Sequence, residues 1–479
     1  MYKVKIPRKI IYRNYLLEKL NEKTIKKNEK EKRKILIDEL MCSLNDGKKE
    51  IRDRFENHKN RGFETIAELS YLHDQILRVI FEFATTKIFN HGVSTTGDKL
   101  CLVALGGFGR GELAPGSDLD LLFLLPYKHT PFTENLVEYI LYVLWDLDIK
   151  IGHSVRTVDE NLRYAKNDMT ILTSLIESRW IWGDQELYKK FHSVFQSFLM
   201  GISDKSFIKA KLKEREERHL KHGDSRYILE PDVKEYKGGL RDLHTLTWII
   251  KYVFKNKSLF ELAEDNVINL SEAHKFYKSL NFLWTVRIHI HYLNYRSDNR
   301  LTFDIQRSIS ERMGYKERQG ASAVERFMRH YFLVAKDVGK LTRVVLSLVD
   351  NQMENKNIFR LKNIFWVKKI DGFIVKGNSI DIKSENDFID DPVKLIKIFY
   401  VALLNNLSLH PKVIKLISLS LGHVKKIRND EEANKIFINI LTSRIESESI
   451  LRLMNETGFL SSFFPDFGKV VAQMQFDMY

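Results

Sequence analysis

The chain has 479 residues, 44% hydrophobic and 29% charged with only 8 prolines, a length that exceeds one hydrophobic core and calls for roughly two to four domains. Its 2 cysteines, Cys42 and Cys101, make neither a disulfide framework nor a metal site, Met1–Asn14 lacks the apolar core of a secretory signal, and the apolar run Leu121–Pro126 is too short to span a bilayer, so a cytoplasmic protein is expected. The net charge of +14 admits nucleic acid, an acidic protein or phosphorylated substrates as partners, but no aromatic-interleaved basic stripe accompanies it, and neither nucleic acid nor membrane is expected.

Residues from about 15 to 92 read as helices, with the periodic apolar set Ile66, Leu69, Leu72, Ile76, Val79, Ile80 and Phe83. Cys101–Leu105 is a short apolar strand running into a glycine-rich turn, Leu119–Leu125 is a second strand, Leu136–Leu147 is helical, and Asp148–Thr157 alternates like a third strand. From Thr170 to Leu348 the pattern is helical again, with Phe276, Tyr277, Leu280, Leu283, Trp284 and Ile288 on one stripe. Ile358–Ile382 reads as a linker with short strands, and Asp391-Pro392 opens a last helical stretch. The expected fold class is α+β, in five regions: a helical region 1–94, a catalytic core 95–160, a helical domain 161–350, a linker 351–390 and helices over 391–479.

The most informative run is Leu105-Gly106-Gly107-Phe108-Gly109-Arg110-Gly111-Glu112-Leu113, closed by Ser117-Asp118-Leu119-Asp120-Leu121. Residues two apart on a strand share a face, so Asp118 and Asp120 project together while Leu119 and Leu121 are buried. Two carboxylates on one face repel unless a cation sits between them, and oxygen ligands suit Mg²⁺. The glycines upstream let backbone N–H groups approach a phosphate. A P-loop is excluded, because no lysine follows Gly116. A dinucleotide fold wants its acid roughly 20 residues on, and here the acids come sooner. The plainer reading of the two acids is a strand-edge or capping pair, which sits poorly at the head of an apolar strand.

The glycine pair, the gap and Asp118-Leu119-Asp120 resemble the polymerase-β-like nucleotidyltransferase superfamily, which implies that fold for the core. The longer string resembles two bacterial nitrogen-control families: the uridylyltransferase/uridylyl-removing enzymes of the PII signal protein, and the adenylyltransferases of glutamine synthetase. Gly152-His153-Ser154-Val155-Arg156-Thr157, Glu230–Glu235 with Lys237-Gly238-Gly239-Leu240-Arg241-Asp242, Arg300–Asp304 and Val324–Phe332 are similar to blocks of the first family. That resemblance implies Mg²⁺-dependent transfer of UMP from UTP to a tyrosine of PII, with release of pyrophosphate. Asp118 and Asp120 would be the catalytic metal ligands, Gly106, Gly107 and Ser117 would approach the phosphates, and Arg110 would neutralise the leaving group. The third carboxylate of the superfamily is missing: Gly152 stands in its place, and Asp148 is the nearest candidate metal ligand. Lys237 and Arg241 read either as cations of a second phosphate element or as parts of a helix start with local pairing. His289 and His291, two apart in a helix, read as non-catalytic. The alternatives are an adenylyltransferase of glutamine synthetase and a catalytically weak nucleotide-sensing module. In relatives the stretch Phe467–Tyr479 leads into a His-Asp phosphohydrolase domain, so a truncated chain is expected. It would be without uridylyl-removing activity or glutamine response, and residues 391–479 would be the start of an incomplete helical His-Asp phosphohydrolase domain, with Leu395, Ile398 and Phe399 short of packing partners.

Overall fold

The computed structural model describes residues 4–57, 61–89, 95–222, 228–255, 257–294, 298–318, 320–358, 368–376, 379–384, 386–443 and 447–470. Parts of two expected features, residues 359–367 of the linker and 471–479 of the final stretch, lie outside the described residues. The chain forms two compact units, Met1–Lys213 with Asn281–Arg300, and Glu214–Leu280 with Leu301–Tyr479.

In the first unit the helix Glu29–Glu56 starts at a reciprocal cap: the Glu31 amide donates to Asn28 Oδ1 at 2.9 Å, and the Asn28 amide to Glu31 Oε2 at 3.1 Å. The following helix, Gly62–Phe83, buries the expected apolar stripe and also Glu68, His73 and Asp74. Each of these polar groups has a partner, as burial demands. Arg54 Nη1 donates to Glu68 Oε1 at 2.8 Å, His73 Nδ1 lies 2.8 Å from the Leu69 carbonyl, and Asp74 is forked by Arg179.

Against these helices lies a four-stranded sheet of β1 (Cys101–Ala104), β2 (Leu119–Leu125), β3 (Ile151–Thr157) and β4 (Arg179–Gly183), ordered β3-β2-β1-β4. β1 is antiparallel to β2 and β4, and β2 is parallel to β3. Parallel neighbours need a crossover, here the helix Pro131–Asp146, capped by Thr130 with proline in its first turn. β4 falls beyond the 95–160 span read from sequence. Its Arg-Trp-Ile-Trp-Gly run is too short and too flanked by helix to announce a strand. Leu102, Leu121, Phe123 and Leu125 join Leu72, Ile76 and Ile80 in one apolar core.

In the second unit β5 (Lys368–Ile370), β6 (Phe373–Lys376), β7 (Ser379–Asp381) and β8 (Ser408–Leu409) form a second sheet in that order. Phe373 and Ile380 share a core with the helices Lys394–Leu404, Pro411–Leu419, Glu431–Leu441 and Glu448–Thr457. One expectation is corrected here: Leu395, Ile398 and Phe399 are each 0% exposed, packed into that core. The molecule is thus α+β and mostly helical. Among the described residues no helix is long and apolar enough to cross a membrane.

Candidate active site

The glycine turn leaves β1 and folds as one short helix, Gly106–Gly109, with the Gly109 amide on the Leu105 carbonyl at 2.8 Å and the Arg110 amide on that of Gly106 at 3.1 Å. The Leu105 amide in turn donates to the Asp120 carbonyl at 2.9 Å, so turn and carboxylate strand are stitched backbone to backbone. On β2 Leu119 and Leu121 are buried, whereas Asp118, just before the strand, and Asp120, within it, are exposed. The alternation expected of these residues is therefore present.

Two glycines clear the space around Asp120. A Cβ on Gly106, whose φ of +53° already disfavours any other residue, would stand 3.0 Å from Asp120 Oδ2. A Cβ on Gly152, the β3 residue paired with Asp120, would stand 2.9 Å from Oδ1. Each carboxylate oxygen of Asp120 thus lies close to a glycine, where any larger residue would crowd it. Gly107 follows in the same turn, and the Ser117 hydroxyl lies 3.4 Å from Arg287 Nη2.

Asp148 is not gathered to this pair. It occupies a left-handed turn (φ 51°) ahead of β3, exposed, and its charge acts on Lys48, whose ammonium pKa burial lowers and Asp148 partly restores. Among the described residues no group of 3 or more His, Cys, Asp and Glu side chains is placed to hold a metal. Two exposed carboxylates still fit Mg²⁺, which usually keeps several waters and takes one or two protein carboxylates.

Arg110 is held by an ion pair within the turn. Its Nε donates to Glu112 Oε2 at 2.8 Å, and its side chain is only 9% exposed. Burial works to lower its pKa, but the charges of Glu112, Glu177 and Asp120 outweigh that and hold the guanidinium above its ordinary value. It therefore contributes positive charge near Asp120 from a fixed, paired position.

Lys237 and Arg241 belong to the second unit. There the glycines serve packing: Gly238 has φ +87°, and a Cβ on it would meet the Ala335 methyl at 2.7 Å. Arg241 Nη2 pairs with Glu235 Oε1 at 3.2 Å. The neighbouring Asp242 is buried and accepts from His219 at 2.9 Å, from Arg215 at 3.3 Å, from Arg218 and from the Gly238 amide at 2.8 Å. Burial alone would raise its pKa, but these partners hold it well below the usual carboxylate range. These contacts are those of a helix start fixed by local ion pairs.

Sequence reading missed the residue that pins the turn. Arg179, on β4, donates through Nη2 to the Phe108 carbonyl at 3.0 Å and through Nε to that of Gly109 at 3.2 Å, while Asp74 grips it at 2.7 and 3.0 Å. A cation at the carbonyl end of the short helix suits its dipole. No local pattern marks Arg179, because its partners lie 71 and 105 residues away.

Comparison with known proteins bears on the chain as a whole. Residues 206–346 match the family described as GlnD PII-uridylyltransferase, and residues 373–463 match the uridylyltransferase GlnD third domain. A bifunctional uridylyltransferase/uridylyl-removing enzyme of Azospirillum brasilense is 48% identical over 451 residues, covering 93% of this chain and 48% of the relative. Its namesake in Rhodospirillum rubrum is 44% identical over 480 residues, covering 100% of this chain, the glycine turn and β2 included, and 51% of the relative. The Novosphingobium aromaticivorans counterpart is 42% identical over 454 residues, covering 93% of this chain and 49% of the relative. The chain spans about half the length of the curated relatives it matches. With two family domains matched in succession and this identity sustained along its length, the chain belongs to the GlnD uridylyltransferase family.

Proposed function

We propose that the Asp118–Asp120 site transfers UMP from UTP to a tyrosine hydroxyl of a PII signal protein, with Mg²⁺ as cofactor and the cytoplasm as its setting. The observation that supports this is the glycine-flanked carboxylate: Gly106 and Gly152 each leave off the Cβ that would crowd an oxygen of Asp120, and Gly106 opens the glycine turn beside it. Asp118 and Asp120 would hold the metal, which when bound supplies charge neutralisation on the triphosphate. Gly106 and Gly107 let phosphate oxygens come close to the main chain, and Ser117 offers a hydroxyl donor. Arg110 adds fixed positive charge from its pair with Glu112. In the transfer, the tyrosine oxygen bonds to the α-phosphorus as the bond from that phosphorus to the pyrophosphate oxygen breaks. The phenolic proton leaves to solvent, and pyrophosphate carries away the negative charge.

Uracil and PII enter through the family: the matched domain is described as a PII-uridylyltransferase, and the relatives are named for uridylyl transfer and removal. Those names weigh against adenylyl transfer to glutamine synthetase, which rests on the shared catalytic string alone. Nothing at the Asp118–Asp120 site calls for hydrolytic removal of UMP, and we assign transfer alone to it. The test is to incubate the purified chain and Mg²⁺ with labelled UTP or ATP, offering PII or glutamine synthetase as acceptor. Label passing from UTP to PII is expected. Label passing only from ATP to glutamine synthetase would replace this reading with the adenylyl one. Binding of UTP without turnover would mark a nucleotide-sensing module.

A further inference from the structure

Gly116 and Ser117, which lead into Asp118, are held by side chains from outside the glycine turn. The Gly116 amide donates to His291 Nδ1 at 3.0 Å, and Ser117 Oγ faces Arg287 Nη2 at 3.4 Å. Both side chains sit on the helix Leu270–Asn294, four residues and so about one turn apart. Both converge on Asn299: Arg287 Nε donates to its Oδ1 at 2.7 Å, and His291 Nε2 stands 3.1 Å from the same oxygen.

The proton positions follow by elimination. A guanidinium only donates, so Asn299 must present its oxygen to Arg287. That oxygen only accepts, so His291 Nε2 bears the hydrogen and Nδ1 keeps a lone pair for the Gly116 N–H. Arg287 and His291 are 7% and 5% exposed, and Arg287 also lies 5.0 Å over the Trp284 ring. The network is therefore part of the interior and not a chance surface contact. At Ser117 it has a chemical consequence. With an Arg287 N–H directed at a hydroxyl lone pair, the single hydroxyl hydrogen is left to donate to another acceptor, and the adjacent cation strengthens it as a donor.

We propose that Arg287 and His291 are positioning residues for nucleotidyl transfer. His291 fixes Gly116 and with it the approach of Asp118, and Arg287 makes the Ser117 hydroxyl a donor aimed at a nucleotide phosphate. This rests on the transfer activity proposed above.

The test is a double-mutant cycle on the full chain with Mg²⁺, UTP and PII, with the Tm of each variant measured alongside. Ser117→Ala and Arg287→Met should each lower kcat/KM for UTP by about tenfold, the scale of one hydrogen bond to a charged group. The double variant should fall no further than the worse single one. Arg287→Lys, which keeps the cation without the planar fork, should recover part of the loss and replaces Arg287→Met if that variant unfolds. His291→Asn retains an acceptor near the Nδ1 position and should restore most of the kcat that His291→Leu loses. Independent losses multiplying to roughly a hundredfold in the double variant would overturn the inference, as would equal rates for the two His291 variants. An inactive parent chain would overturn the transfer reading beneath it. An active parent with independent losses would overturn this inference alone.

Discussion

At Asp120, backbone stands where most strands would place side chains, and that makes the site sensitive to a single methyl group. Gly152→Ala would bring a carbon to 2.9 Å from Asp120 Oδ1. Gly152 is exposed on the outermost strand of its sheet, so the carboxylate must turn while the fold persists. A fall in transfer of about tenfold to a hundredfold with an unchanged melting temperature is expected, because misplacing a reacting group by a fraction of an ångström costs on that scale. An unchanged rate would show that the Asp120 rotamer does not matter. His73 tests the interior. Burial, with a smaller contribution from Lys48 and against the opposing Leu69 hydrogen bond, lowers its pKa from 6.5 to about 4. The unfolded chain therefore binds a proton at His73 that the folded chain refuses. The stability from this residue is fully present above about pH 6.5 and is lost as pH falls through about 4, a change of about 3 kcal/mol. Urea midpoints measured across that window should fall more steeply for the parent chain than for His73→Leu; parallel curves would contradict it.

Among the elements, the short helix Gly106–Gly109 depends on β4. Arg179 caps its carbonyl end and satisfies the buried Asp74, so Arg179→Met leaves a carboxylate buried without its fork. Such a loss costs about 3–5 kcal/mol, and Asp74→Leu added to Arg179→Met should recover part of it. Denaturant unfolding would check both, and a double variant less stable than the single would contradict the pairing. The same element shows what a sequence discloses. Asp118, Leu119 and Asp120 were legible because strand alternation is local, and β2 lies where its apolar run ends. Arg110 was legible only as a cation near phosphates: its bond to Glu112 depends on how the turn closes. β4 and Arg179 were not legible at all, since the sheet recruits them across an intervening pair of helices. The Gly238-Gly239 pair resembled a phosphate loop because a tight approach to Ala335 and a tight approach to a phosphate ask for the same residue.

Across the molecule, the second core supplies the packing partners that Leu395, Ile398 and Phe399 were expected to lack. Apolar residues of Lys394–Leu404 that read as unpartnered are buried among the helices and sheet of residues 373–463, and Arg343 ties the helix Ala323–Ile358 to Glu456 at 2.9 Å. Limited proteolysis should therefore spare Lys394–Leu404, since cleavage follows local opening and buried helices open rarely. Primary cuts inside that helix would contradict the packing. The proposed transfer depends on the carboxylate pair of the first unit. Pyrophosphate release with Mg²⁺, UTP and PII, compared between the parent chain and Asp120→Asn, tests it most directly. Release matched by UMP fixed on PII is expected in the parent, with a rate lower by about three orders of magnitude in the variant, the loss of several kcal/mol of transition-state stabilisation. A variant that kept more than roughly a tenth of the parent rate would contradict it.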